Sequence, residues 1–502
     1  MDRRQFLAAA IGALAGRSVR AQPDCDFADC KLPPINPGHI DAGKAGRFER
    51  PAGLTKRPLW SKLSIPEKAR LFSTLQKAYQ RMSRMCPRDP RSLAFQAWLH
   101  QYYCCNHKAS HARSFPGAAT NIHNTSDFLP WHRAFLFFHE RIIQGVSGNK
   151  DFRLPVWDWE SPCGFQTPWP YDSMPLPVVP CKCSPRRETV APITPFCLQE
   201  WLTSGSFDEF AGPPGPVSAS GAKPGCATLG PHSSVHISLR GYMGQVAVAA
   251  IDPVFYAHHA NIDRYWEYWR SLYKGRPGFK EHWPDSSEYY FYDGFHHWEK
   301  PRLVKVTPCE LLDIGALGYC YDPPTLTMPG WKEVCAKPAG ETLLSFDKSS
   351  FDILSPFLST TASTGLSAHS RVGGQDEKQA LAARFSIGIP NPQPAFYDVA
   401  IANPAGDSPV PVGGFAAFVE RDAEMTTFCS GSCAISLMLD RIRTLIERSA
   451  PFQLMYAVAP DEPDENLPHQ RTSDRADVKW VAATPPVSFE FLVPETPSSI
   501  RA

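Results

Sequence analysis

Histidines gathered into two triads constrain this 502-residue chain more than any other feature. His100, His123 and His132 form the first, within HQYYCCNH (100–107) and NIHNTSDFLPWHRAFLFFHER (121–141). His232, His236 and His259 form the second, within PHSSVHISLRG (231–241) and DPVFYAHHANIDRYWEYW (252–269). His232 and His236 stand four apart, so on a helix both rings leave one face and can close on one ion. Neutral imidazole suits copper, and a site made only of imidazoles disfavours the harder cations that prefer oxygen. Around His259, Phe255, Tyr256, Ile262, Tyr265, Trp266 and Trp269 recur at helical intervals, and Trp131, Phe135, Phe138 and Ile142 do so around His132. The spacing therefore predicts ligands on helices packed together, and a bundle core is a known place for a pair of metals.

A chain this long predicts two domains behind a leader. With 51 basic and 50 acidic residues the net charge is +1, which gives no reason to expect nucleic acid or an anionic membrane as partner. The 13 tryptophans and 30 phenylalanines suffice for a large aromatic core, while the 50 prolines point to long irregular connections. The N-terminus, MDRRQFLAAAIGALAG, sets Arg3 and Arg4 before a mildly apolar run too short to span a membrane. It reads as a twin-arginine export signal over 1–21, cut after Ala21, which implies a periplasmic or secreted location without a transmembrane anchor. Fifteen cysteines, with close pairs at Cys25/Cys30, Cys181/Cys183 and Cys429/Cys433, fit disulfides in an oxidising compartment, although a cysteine zinc site at 181–183 stays open.

Residues 66–83 carry the first clear helix, opened by Pro66 after Ser64. A Pro-rich insert over 161–226 separates the histidine motifs and reads as wall and surface around the site. Beyond Pro338 the pattern changes to period two, in FYDVAIA (396–402), FQLMYAV (452–458) and VSFEFLV (487–493). The fold expected is a mainly α catalytic domain over 22–336, with a four-helix-bundle metal core and long loops. An antiparallel β-sandwich-like domain follows over 337–502.

A histidine taken alone beside aromatics is more often a hydrogen-bonded core residue than a ligand, and His107, His111, His139 and His258 keep that reading. Here, however, an HxxxC, an H-x8-H, an HxxxH and a DPxFxxHHxNxDRxW motif follow one another in order. From Pro51 to Tyr321 the chain resembles the tyrosinase and catechol oxidase family of type-3 copper proteins, which also includes molluscan haemocyanin. The resemblance implies two copper ions, one held by His100, His123 and His132, the other by His232, His236 and His259. His258, Asn261 and Asp263 would lie behind the ligands. Cys104 occupies the position that in plant-type members is joined by a thioether to the second ligand of the first site, here His123. Its alternative is a disulfide, and setting Cys104 aside leaves an even fourteen cysteines compatible with full pairing. The 316–324 segment, ALGYCYDPP, resembles the Tyr-x-Tyr signature that closes the catalytic domain. The β domain resembles the one that lies over the copper site in latent members, a plain structural cap being the alternative.

The activity implied is oxidation of ortho-diphenols to ortho-quinones, with a small phenol and dioxygen as substrates. Pocket positions qualify it. Thr228 stands where many members carry a glutamate that holds a deprotonating water, Ser233 where good monophenolases carry asparagine, and Val246 at the gate. A hydroxyl is no general base near neutral pH, so hydroxylation of monophenols is expected to be weak. Tyrosinase activity, ortho-aminophenol oxidation and haemocyanin-like oxygen carriage remain the alternatives.

Overall fold

The computed structural model describes residues 42–105, most of 122–322, and the strands between 354 and 494. Residues 1–41, 106–121, 177–205, 215–223 and 323–353, with the connections between the later strands, lie outside the described residues. The export segment, His107, His111 and the cysteines at 25, 30, 181, 183 and 433 fall there.

Helix α1 (Ile65–Met82) starts where the sequence says it should: the Ser64 amide donates to the Glu67 carboxylate at 2.8 Å, and Pro66 sits in the first turn. It buries Leu75, Ala78, Tyr79 and Met82. Helix α2 (Leu93–Cys105) carries His100, and α3 (Phe128–Ser147) carries His132. Gly148 ends α3 in the left-handed region at φ 77°, returning its amide to the Gln144 carbonyl. A five-residue helix, α4 (Phe207–Ala211), is the regular element described within the long insert. The chain then makes a π turn over Thr228–His232, a short helix α5 (Ser233–Leu239), a 3-10 turn over Val246–Ile251, and α6 (Val254–Tyr273). Helix α3 packs against α1 and α6, and α2 lies against the 3-10 turn. Nearly every residue of α3 and most of α6 are buried, as befits central helices surrounded on all faces.

Short strands tie the ends of this helical unit together. Strand β1 (Gly46–Arg47) runs parallel to β4 (Arg302–Val306), which also pairs antiparallel with β3 (Tyr289–Asp293). Strand β2 (Thr55–Lys56) runs parallel to β5 (Tyr319–Cys320). Beneath these pairings lies a buried charge network centred on Asp263. One carboxylate oxygen accepts from Arg133 at 2.6 Å, and the other accepts from the hydroxyls of Tyr319 at 2.8 Å and Tyr321 at 2.7 Å. Arg57 stands 3.6 Å from the same carboxylate, donates to Glu140 at 3.0 Å, and lies over the Tyr319 ring at 3.7 Å. The Tyr-x-Tyr signature thus closes the domain through α6, α3 and the strand that begins it.

The C-terminal region forms two antiparallel four-stranded sheets. One has the order β10-β7-β13-β6, from strands Leu354–Ala362 (β6), Ala382–Pro390 (β7), Met425–Ser432 (β10) and Thr484–Pro494 (β13). The other has the order β12-β11-β8-β9, from Ala395–Ala402 (β8), Val410–Ala417 (β9), Gln453–Val458 (β11) and Val481–Ala482 (β12). The three strands expected from period two are β8, β11 and β13. Those the sequence did not disclose include β9, VPVGGFAA, and β10, MTTFCSGS, whose glycines and serines blur the alternation. Strand β9 packs against α5 and the π turn, so this region meets the helical unit beside the second histidine triad.

The cysteine expectation needs correction. Cys86, Cys309 and Cys320 are free thiols, so the fourteen cysteines other than Cys104 are not fully paired. Exposure of Cys86 and Cys309 gives each a solvent environment in which a thiol needs no partner. Among the described residues no helix is long and apolar enough to cross a membrane.

Removing one member of the Asp263 network leaves buried guanidinium groups uncompensated. Asp263→Ala should lower unfolding free energy by about 3–5 kcal/mol, read from the denaturant midpoint. A loss within the ordinary surface range would show the network to be dispensable.

Candidate metal centre

The described residues contain two groups of side chains whose potential ligand atoms lie within 4.8 Å of one another: His100, His123 and His132, and His232, His236, His258 and His259. All seven are buried. Helix geometry delivers most of them. His132 is one turn into α3, His259 one turn into α6, and His232 and His236 flank the start of α5.

Backbone carbonyls choose which nitrogen three of the rings present. His132 Nδ1 lies 2.7 Å from the Phe128 carbonyl, His232 Nδ1 2.8 Å from that of Thr228, and His236 Nδ1 2.7 Å from that of Met243. A carbonyl only accepts, so each Nδ1 carries the proton and each Nε2 keeps a lone pair. The Nε2 atoms of His132 and His232 have no hydrogen bond, nor has either nitrogen of His100 or the Nδ1 of His259. Orphaned buried nitrogens are costly, and a metal removes that cost. The Nε2 atoms of His236 and His259 stand 3.2 Å apart. Two imidazoles bonded to one ion at about 2.0–2.1 Å in tetrahedral geometry have nearly that separation. The donor sets therefore fit two metal ions.

The triads face each other. The His132 and His259 rings stack at 4.3 Å and 11°, while Phe128 packs against His132 and His232 and Phe255 against His100 and His259. Burial holds every one of these imidazoles below its ordinary value, His100 and His232 down to about 3. His123, His132, His236 and His259 are likewise held well below the ordinary value by burial and by their imidazole neighbours. All six are neutral and able to ligate near pH 7.

His258 differs. Its Nδ1 accepts the indole N–H of Trp159 at 3.2 Å. The hydrogen bonds of Asn261 and Asp263 run to other partners than the histidine rings. Asn261 joins Glu160 at 2.8 Å and Arg264 at 2.9 Å, and Asp263 turns to the domain-closing network. His139 bonds the Tyr79 hydroxyl at 3.0 Å and stacks on Tyr256. Thr228 and Ser233 adjoin His232 on the π turn, with the Ser233 hydroxyl donating to the Thr228 carbonyl at 2.7 Å. Val246 is 5% exposed, and its carbonyl lies 3.9 Å from the Cys104 sulfur.

Sequence reasoning missed Phe418, just past β9. Its ring stacks on His236 at 4.1 Å and 10°, meets His232 edge-on at 5.6 Å, and is 5% exposed. Trp159 was missed as well; its only sequence signal is a WDWE run between proline-bounded loops.

A pH dependence follows for the metal-free protein. Unfolded histidines take up protons below about pH 6.5, whereas His100 and His232 in the folded chain resist them to about 3. Stability should therefore fall as pH drops through this window. Asp158, raised to about 6 by burial and by Glu160, opposes the trend as a single group. The denaturant midpoint should be lower at pH 5.5 than at 7.5, and an unchanged midpoint would contradict burial of neutral rings.

A family model described as the common central domain of tyrosinase matches residues 90–193 and 182–272. The latent form of polyphenol oxidase from Prunus armeniaca is 28% identical over 390 residues, 68% of this chain and 64% of that protein. Polyphenol oxidase A1 of Vicia faba is 30% identical over 49% of this chain and 44% of its own length, and catechol oxidase B of Solanum tuberosum 29% over 50% and 46%. The chain thus spans between 44% and 64% of the length of these relatives. Among solved structures, a latent aurone synthase, itself a polyphenol oxidase, aligns over 95% of this chain and 94% of its own, at 21% identity and a TM-score of 0.56. Latent apple tyrosinase aligns over 90% and 99%, at 20% identity and a TM-score of 0.53. At such identity the structural likeness speaks for the fold alone. The ordered histidine motifs, their convergence into two buried triads and the match to the common central domain of tyrosinase over 90–272 agree: in its central part this chain is similar to tyrosinases and polyphenol oxidases.

Proposed function

We propose that this protein binds two copper ions, through His100, His123 and His132 and through His232, His236 and His259, and oxidises ortho-diphenols to ortho-quinones. The observation that carries this reading is the pair of facing, buried, neutral triads with lone pairs directed at two points. Bound copper would supply the electron transfer that couples diphenol oxidation to reduction of dioxygen. Two diphenols, each giving up two electrons and two protons, balance one dioxygen taken to two waters. The chain's own contribution is orientation and exclusion of water. Phe128 and Phe255 pack beside the rings of both triads, and the Phe418 seat on His236 suits a planar aromatic ring. Catechol should drive oxygen uptake by copper-loaded protein containing two coppers per chain, and His132→Ala should abolish it. Full activity in that variant would sink the site assignment.

Substrate choice rests on Thr228 and Ser233. Neither hydroxyl is a general base near neutral pH, and that of Ser233 is besides engaged by the Thr228 carbonyl. Thr228→Glu with Ser233→Asn should raise the monophenol rate relative to the catechol rate. One well-placed base gives about 10²–10⁴-fold, and a grafted one less. Brisk tyramine hydroxylation by the wild type would refute this.

The C-terminal sheets, read as a sandwich-like domain over 337–502, hold the enzyme latent by seating Phe418 where substrate would stack. Phe418→Ala should raise kcat/KM for catechol by up to roughly tenfold, the equivalent of an aromatic contact of about 0.5–1.5 kcal/mol. An unchanged value would make this domain a structural cap. Two finer readings accompany the proposal: a thioether between Cys104 and His123, detectable by peptide mass, and export through the twin-arginine segment.

A further inference from the structure

The second histidine group holds four rings, yet three imidazoles complete a site that must keep a position open. His258 is adjacent to His259 in sequence, stacks on His232 at 5.6 Å and 15°, and meets His236 edge-on at 4.9 Å. It touches all three ligands and contributes a nitrogen to the cluster. Something must stop it from joining them.

We propose that Trp159 is that device, a positioning residue that keeps His258 from becoming a fourth ligand of the second metal. The inference rests on the copper reading of this cluster. An indole N–H is a donor only, so the Trp159 contact at 3.2 Å fixes His258 Nδ1 as an acceptor. A neutral imidazole then carries its own proton on Nε2. The Nδ1 lone pair faces the indole, and Nε2, which has no hydrogen-bond partner, bears the hydrogen.

Trp159 is well held for the task. It is buried, stacks on Tyr265 at 5.6 Å and 12°, and sits in a segment braced along α6 on both sides. The Trp157 amide donates to the Ala257 carbonyl at 3.0 Å, and Glu160 accepts from Asn261 at 2.8 Å and Arg264 at 2.7 Å. These contacts fix the indole against α6 within one turn of His258. Such an arrangement allows the family's paired histidines to pack densely while only one coordinates, since outer partners select the tautomer of a ring beside a metal.

The test uses the copper-loaded full chain and a double-mutant cycle. Trp159→Phe keeps the aromatic volume but removes the N–H, freeing a lone pair on His258. The variant should retain two coppers but lose the oxygen-induced absorption of the coupled pair by at least about tenfold, because the vacant position is filled. His258→Phe in the same background removes the extra ligand and should restore that absorption. Restoration by a second mutation is opposite in sign to what a packing role predicts, namely losses that add or compound. A Trp159→Phe protein with unaltered oxygen binding, or a double variant worse than the single, would overturn the proposal. Should the variants fail to fold, nitrogen-15 NMR of histidine-labelled wild-type protein without copper decides it. The Nε2–H tautomer of His258 is expected, and the Nδ1–H tautomer would refute the lock. Failure of the wild type to bind copper would instead refute the site reading itself, so the two failures are distinguishable.

Discussion

Hydrogen bonds from imidazole Nδ1 to the carbonyls of Phe128, Thr228 and Met243 are the interactions on which the rest of this protein depends. Each fixes a tautomer, and each carbonyl is itself placed by a helix or turn. Phe128 precedes His132 by one turn of α3, and Thr228 precedes His232 by one turn of the π helix. The ligands are thus aimed by the same backbone that carries them, and burial keeps their rings neutral. A metal entering such a site meets donors already oriented, at the cost of unsatisfied nitrogens when it is absent.

Stability and function are joined through α3 and α6. Arg133 follows His132, and Asp263 lies one turn beyond His259, so their buried pair ties together the two helices that carry these histidines. Tyr319, Tyr321 and Arg57 extend that tie to both ends of the helical unit. The distance between the triads is consequently a property of the whole domain. The C-terminal strands also meet the elements that carry His232 and His236, and Phe418 stacks on the His236 ring.

Much of this was legible in the sequence, for definable reasons. Helix α1 announces itself through Ser64, Pro66 and Glu67, and the histidine triads through local spacings that a helix converts directly into convergence. The strands with clean alternation, β8, β11 and β13, were readable, while glycine-rich β9 was not. What escaped were contacts between distant segments. Trp159 lies 99 residues from His258, and Phe418 lies far along the chain from His236, so no local pattern connects them.

The most direct test of the central claim is anomalous scattering at the copper edge from crystals of the copper-loaded full chain. The account predicts two peaks, one bounded by His100, His123 and His132, the other by His232, His236 and His259, with His258 still bound to Trp159. A single peak, or a second copper coordinated by His258, would contradict it.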